Sequence, residues 1–160
     1  MMNKIVSTLL CIFFLFTAIP VAGAETVTTT DSSYTEYLPD GSHYVTELHI
    51  DSCRTDSGMI GRSSTSGKKE SVYYNAFGEK QWSMKLTGTF TYNGVTSACT
   101  AASVSYTIYN SAWQYQSKSA SANGNAANGS LTMIKKLLGI TVQTETKSLT
   151  IVCDKNGNLS

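Results

Sequence analysis

The chain has 160 residues, of which 14% are charged, two are proline and 42 are serine or threonine. Its first 24 residues read as an export leader, so what remains is one domain in length, with Lys4 removed and basic and acidic residues equal in number. A near-neutral surface excludes the basic footprint of a nucleic-acid binder, polybasic membrane docking and steering of a highly charged substrate.

The Thr, Ser, Tyr and Val content points away from a helical bundle and towards an all-β domain. Met1-Met2-Asn3-Lys4 is a short positive segment, Ile5 to Ile19 is apolar, and Pro20 breaks the run. Ala22-Gly23-Ala24 supplies the small residues a signal peptidase reads, which makes residues 1–24 a signal peptide and Glu25 the first mature residue. The apolar run is shorter than the roughly 20 residues that span a bilayer. The expectation is therefore a secreted protein, extracellular or associated with a cell wall, with no stable membrane anchor after cleavage. Cys11 lies inside the apolar run behind Leu9 and Leu10, not at a lipoprotein cleavage point. Three cysteines follow the leader, Cys53, Cys99 and Cys153, so one disulfide leaves one thiol over.

Residues 25–33 form a Thr-rich lead-in, extended or disordered, and residues 34–160 a single domain. Tyr34 to Leu38 and Ser42 to Asp51 flank Pro39-Asp40-Gly41, an N-terminal hairpin whose glycine supplies the positive φ of a tight turn. Arg54 to Lys69, with Gly58, Gly61, Gly67 and four serines, reads as a long loop or a poorly ordered edge. Val72-Tyr73-Tyr74 leads through Asn75-Ala76-Phe77-Gly78 into the clearest strand. There Trp82, Met84, Leu86, Gly88, Phe90 and Tyr92 alternate with Ser83, Lys85, Thr87, Thr89 and Thr91. Asn93-Gly94 is a hairpin dipeptide, and a return strand runs from Val95 towards Tyr109. Trp113 to Ser121 is a further strand, and Asn123-Gly124-Asn125 a turn. In Ala126 to Lys136, Leu131, Ile134 and Leu138 have helical spacing, but Asn128-Gly129 and Gly139 bracket them, and a strand is the reading adopted. Ile140 to Thr144 and Ser148 to Cys153 close the chain as one long or two short strands.

Short strands divided by frequent turns describe a β-sandwich and not βαβ units. Cys99, Trp113 and Cys153 sharpen this to an Ig-like β-sandwich, in which an inter-sheet disulfide packs against a tryptophan. A Cys99–Cys153 bridge would stabilise by about 4 kcal/mol on the chain-entropy model. Against it stand chance spacing of ordinary strand residues, Ile151 at the place of a tyrosine corner, and only seven residues after Cys153.

The stretch Trp82 to Gly94, with Cys99, Trp113, Ser117 to Ser121, Gly124-Asn125-Ala126 and Leu149 to Cys153, resembles a family of small exported β-rich proteins from Gram-positive anaerobes (Firmicutes). The likeness covers roughly residues 34–160. It implies a bacterial source and export, and supplies neither an activity nor catalytic residues.

The chemical motifs in the chain are incomplete. Gly61 to Lys69 has five residues between its glycines, and Lys69 follows Lys68 where a phosphate-binding loop needs Ser or Thr. Ser66-Gly67-Lys68-Lys69 fits the S-x-x-K pattern but lacks the companion motifs of acyl-serine enzymes. His43, Glu47, His49 and Asp51 share one strand face, yet the histidines lie roughly 20 Å apart on an extended strand, too far for one ion. Neither a cofactor nor a metal is expected. Cys53, with His49 about 13 Å away on the same strand, is better read as a leftover buried or intermolecular thiol than as a nucleophile.

Tyrosines beside hydroxyl and amide side chains suit neutral polymers. Tyr73, Tyr74, Tyr109 and Tyr115 are the surface candidates, and Trp82 and Trp113 belong to the core. The leading expectation is a non-catalytic binding or adhesion module for a cell-wall or host polymer or a protein surface. One alternative is a small hydrolase using His43 or His49 with Glu47, Asp51 or Asp40. Another is a secreted factor assembled through Cys53, as a disulfide dimer, or through a sheet edge.

Overall fold

The computed structural model describes residues 27–52 and 63–160. Eight strands follow one another: β1 (Val27–Tyr37), β2 (His43–Ser52), β3 (Ser63–Tyr74), β4 (Lys80–Tyr92), β5 (Ser97–Ile108), β6 (Trp113–Asn123), β7 (Ala126–Leu137) and β8 (Ile140–Val152). They form a five-stranded sheet, β1-β2-β3-β4-β5, and a three-stranded sheet, β6-β7-β8, antiparallel throughout. The domain is all-β and two-layered, and it opens on the N-terminal hairpin that Pro39-Asp40-Gly41 predicts. Every hydrogen-bonded neighbour is also a neighbour in sequence, so both sheets are meanders, whereas immunoglobulin-type sandwiches carry Greek-key connections.

Local chemistry explains the turns. Asn75 Oδ1 accepts from the backbone N–H groups of Phe77 (3.0 Å) and Glu79 (2.9 Å), and Asn93 Oδ1 from those of Val95 (3.0 Å) and Thr96 (2.8 Å). An Asn side chain thus mimics a backbone turn before each of β4 and β5. The alternation in β4 places Trp82, Met84, Leu86 and Phe90 in the interior. Against them lie Ala127, Leu131 and Met133 of β7 and Leu149 and Ile151 of β8, all buried. Gly129 lets the layers close: a Cβ there would stand 2.5 Å from Val104 Cγ2 and 2.9 Å from Leu86 Cδ1.

One stretch differs from the sequence reading. The serine- and glycine-rich run before Glu70 is strand from Ser63 onward, paired on one side with β2 and on the other with β4. Its poverty in apolar side chains has a physical reason. Leu159 of the C-terminal tail lies over Gly67, and a Cβ on Gly67 would stand 2.5 Å from Leu159 Cδ1. The tail supplies from outside the strand the apolar group that the strand lacks. The Thr-rich lead-in is strand from Val27, in register with β2. Residues 126–137 are strand, and residues 140–152 form one long strand.

An antiparallel meander sorts its connections. Those of β1–β2, β3–β4, β5–β6 and β7–β8 gather at one end of the sandwich. Gly41 approaches Ala76 there, the N–H groups of Tyr109 and Asn110 donate to Gln81 O, and Lys136 N–H donates to Ala112 O. The Asn93-Gly94 and Gly124-Asn125 turns and the C-terminal tail lie at the other end, where Gly94 N–H donates to Lys155 O.

Candidate functional site

Period two puts His43, Val45, Glu47, His49 and Asp51 of β2 on the outer face of the five-stranded sheet, because Tyr44, Thr46 and Leu48 are buried inside. Their cross-strand partners on β3 are Tyr74, Val72, Glu70, Lys68 and Ser66. A groove of about 300 Å³ opens on this face, lined by Val45, Glu47, Glu70, Val72, Tyr74, Lys80 and Tyr109.

Aromatic groups form one end of the groove. The His43 and Tyr74 rings stack with centroids 5.0 Å apart and planes 5° from parallel, and Tyr37 tilts against His43 at 5.3 Å. Lys80 Nζ stands 5.8 Å from the centre of the Tyr109 ring. Carboxylates form the floor. Glu47 and Glu70 sit directly opposite each other, a like-charge pairing that costs stability unless cations relieve it. Lys85 Nζ lies 3.4 Å from Glu70 and His49 Nε2 lies 3.4 Å from Glu47. Lys68 is bound to Asp51 next along the face.

Tyr109 reaches the groove because a register shift in the β3–β4 ladder leaves Gln81 between Lys80 and Trp82 without a cross-strand partner. Gln81 is buried, its carbonyl holds the N–H groups of Tyr109 and Asn110, and its side-chain Oε1 accepts from Asn110 Nδ2 (2.9 Å). No sequence motif flags Gln81. The only local sign is a glutamine set between Lys80 and Trp82 at the start of an alternating strand.

The four candidate tyrosines separate. Tyr74 and Tyr109 meet at the groove. Tyr73 is 2% exposed and packs inside against Tyr44, Trp82 and Trp113, so it is not a surface residue: of two adjacent strand residues one must face inward. Tyr115 is exposed on the other sheet, stacked on Tyr106 with centroids 5.0 Å apart. Trp82 and Trp113 are both buried in the core.

The acid–base candidates are dispersed. His43 is held in an aromatic stack, Asp51 in an ion pair, and Asp40 in the β1–β2 turn. There Asp40 accepts from Ser42 N–H (3.0 Å) and Ser42 Oγ (2.5 Å), bonds that hold its carboxyl below the usual range. Glu47 and His49 adjoin. Among the described residues no group of three or more His, Cys, Asp and Glu side chains is placed to hold a metal ion.

Cys99 and Cys153 carry free thiols, Cys153 buried and Cys99 partly so. The β6–β7 turn holds both: Cys99 N–H donates to Gly124 O (2.8 Å) and Cys153 N–H to Asn125 O (3.0 Å). Burial, followed by the charges of Asp154 and Cys99, pushes the Cys153 thiol up to about 11. Cys53 lies outside the described residues, as do residues 1–26, on which the expected leader falls.

The fold and groove define a small two-sheet β-meander with an open, mixed aromatic and carboxylate cleft on one outer face. Comparison with known proteins finds no matching family, no matching curated relative and no matching solved structure.

Proposed function

We propose that this chain is an exported, non-catalytic binding module that grips a cell-wall or host glycan polymer in the groove on its outer sheet face. The carrying observation is the meeting of Tyr74 and Tyr109, far apart in sequence, above the Glu47 and Glu70 carboxylates. Aromatic faces stack on the apolar faces of sugar rings while carboxylates accept from sugar hydroxyls. Lys80 and Lys85 supply donors at the rim. The groove is at the small end of ligand sites, which suits a short stretch of an extended chain lying across an open face.

Export rests on the leader pattern of residues 1–24, and a Firmicutes source on the resemblance alone. In an oxidising compartment we propose that Cys99 and Cys153 close the inter-sheet disulfide, since one turn holds both backbones. The immunoglobulin likeness then reduces to two packed antiparallel sheets, a buried tryptophan and this bridge, on a meander in place of a Greek key.

The test is retention on insoluble peptidoglycan and on mucin. Tyr74→Ala/Tyr109→Ala is expected to abolish retention and Tyr115→Ala, on the other sheet, to preserve it. Retention that survives the double change, or is absent in the parent chain, overturns the reading. Turnover of a glycan, lost in His43→Ala/His49→Ala, would establish the hydrolase in its place.

A further inference from the structure

The end of the sandwich that gathers the β3–β4 and β7–β8 turns carries an apolar tip that the groove does not use. Leu138 is 95% exposed and Phe77 90%, and Leu137, Ile140 and Val142 are exposed beside Leu138. Isolated exposed apolar residues are ordinary, but several on one protruding hairpin mark a contact surface. The backbone adds a second observation. Leu138 is the only non-glycine among the described residues with positive φ, 50°, and it precedes Gly139 at 83°. Two successive positive φ values make the kind of hairpin turn in which Asn or Asp precedes Gly at least strain. A leucine there is opposed by the turn itself, and its side chain projects fully into solvent.

We infer that this tip is a membrane-docking surface, in which Leu137, Leu138 and Ile140 enter the interface of a bilayer containing anionic lipid. Charge placement selects the occupant. Lys136 and Lys135 lie two and three residues behind Leu138, roughly 7–10 Å along the strand. That is the depth to which interfacial apolar groups sink, so the lysines stand at headgroup level when the tip is immersed. A convex tip followed by a cationic collar fits a bilayer and offers a protein partner little area. The chain's overall neutrality does not oppose this, because the two lysines act locally on phosphate headgroups within a Debye length. The contact is reversible and shallow. It is independent of the glycan groove, which lies on the outer sheet face.

The full chain carrying Leu138→Trp is mixed with phosphatidylcholine–phosphatidylglycerol vesicles made with and without brominated acyl chains. The same is done with Val95→Trp, an exposed position in the turn at the opposite end, the end at which residues 1–26 join Val27. Bromine is expected to quench the indole added at position 138 beyond any quenching of the parent chain, and to spare the one added at 95. Lys135→Gln/Lys136→Gln in the Leu138→Trp background is expected to weaken partitioning about thirtyfold. No quenching beyond the parent overturns the inference, as does equal quenching at the two ends. Quenching unchanged by loss of both lysines removes the anionic-lipid contact and overturns it too.

Discussion

The indole Nε1 of Trp113 donates to the side-chain Oε1 of Gln81 at 3.2 Å, inside the protein, between the first strand of one sheet and the start of the strongest strand of the other. Gln81 also carries the β5–β6 crossover on its backbone carbonyl. One residue, displaced from the ladder by a register shift, therefore fixes the sheet-to-sheet junction and the position of Tyr109 in the groove.

Gln81→Leu is expected to destabilise by about 1–3 kcal/mol, because the Trp113 indole N–H is left buried without an acceptor. Trp82 provides the contrast: its Nε1 is buried with no partner among the described residues. Trp82→Phe should therefore cost less than Trp113→Phe, although both rings are buried in the same aromatic cluster. Urea unfolding midpoints of the three variants decide it. A larger loss for Trp82→Phe would show that ring packing, not the hydrogen bond, dominates at this junction.

Gly129→Val is expected to destabilise by roughly 1–3 kcal/mol or more through overpacking. The added Cβ would collide with Val104 and Leu86 across the layers, and both belong to the same core. Gly139→Ala has open space around the new Cβ, so any loss there reads backbone strain at φ 83° alone. Thermal melts separate the two causes, since only the first should be relieved by Leu86→Ala.

Reduced protein is expected to lose stability in alkali through Cys153. The fold raises its pKa from an ordinary 9.0 to about 11, mainly by burial. The folded state thus keeps a proton that the unfolded chain releases. The contribution is whole below pH 9.0 and is lost as pH rises through about 11. Urea midpoints between pH 8 and 11 should fall less steeply in Cys153→Ser. Oxidation should add about 4 kcal/mol on the chain-entropy model and remove this alkaline loss together. Non-reducing gel mobility with thiol counting checks the bridge. Two titratable thiols at positions 99 and 153 in protein recovered from an oxidising compartment would sink it.

Leu138→Asn is expected to raise stability by about 1 kcal/mol, because asparagine accepts the left-handed conformation that leucine resists. A higher melting temperature with weaker vesicle binding would place turn stability and surface contact in opposition. An unchanged melting temperature would show that the φ of 50° carries little strain.

The alternation from Trp82 to Tyr92 and the Asn-Gly and Asp-Gly steps depend on neighbours in the chain, and they are legible from the sequence for that reason. Period two fixes that Tyr73 and Tyr74 face opposite ways, because successive strand side chains must. Which of them is buried depends on where the second sheet lies, and only packing settled that. Ser63 to Lys69 looks like a loop from its composition because its apolar cover, Leu159, comes from the far end of the chain. The groove has the same origin: Tyr109 joins Tyr74 through a register shift at Gln81 and a ladder between strands, and neither leaves a local mark. Sequence determined the alternating strands, the Asn-Gly and Asp-Gly turns and the opposition of adjacent side chains, since those follow from bonded geometry and side-chain period. The tertiary structure decided the meander order, the buried face and the residues that share a site, since those follow from contacts between segments whose separation along the chain carries no information about distance in space.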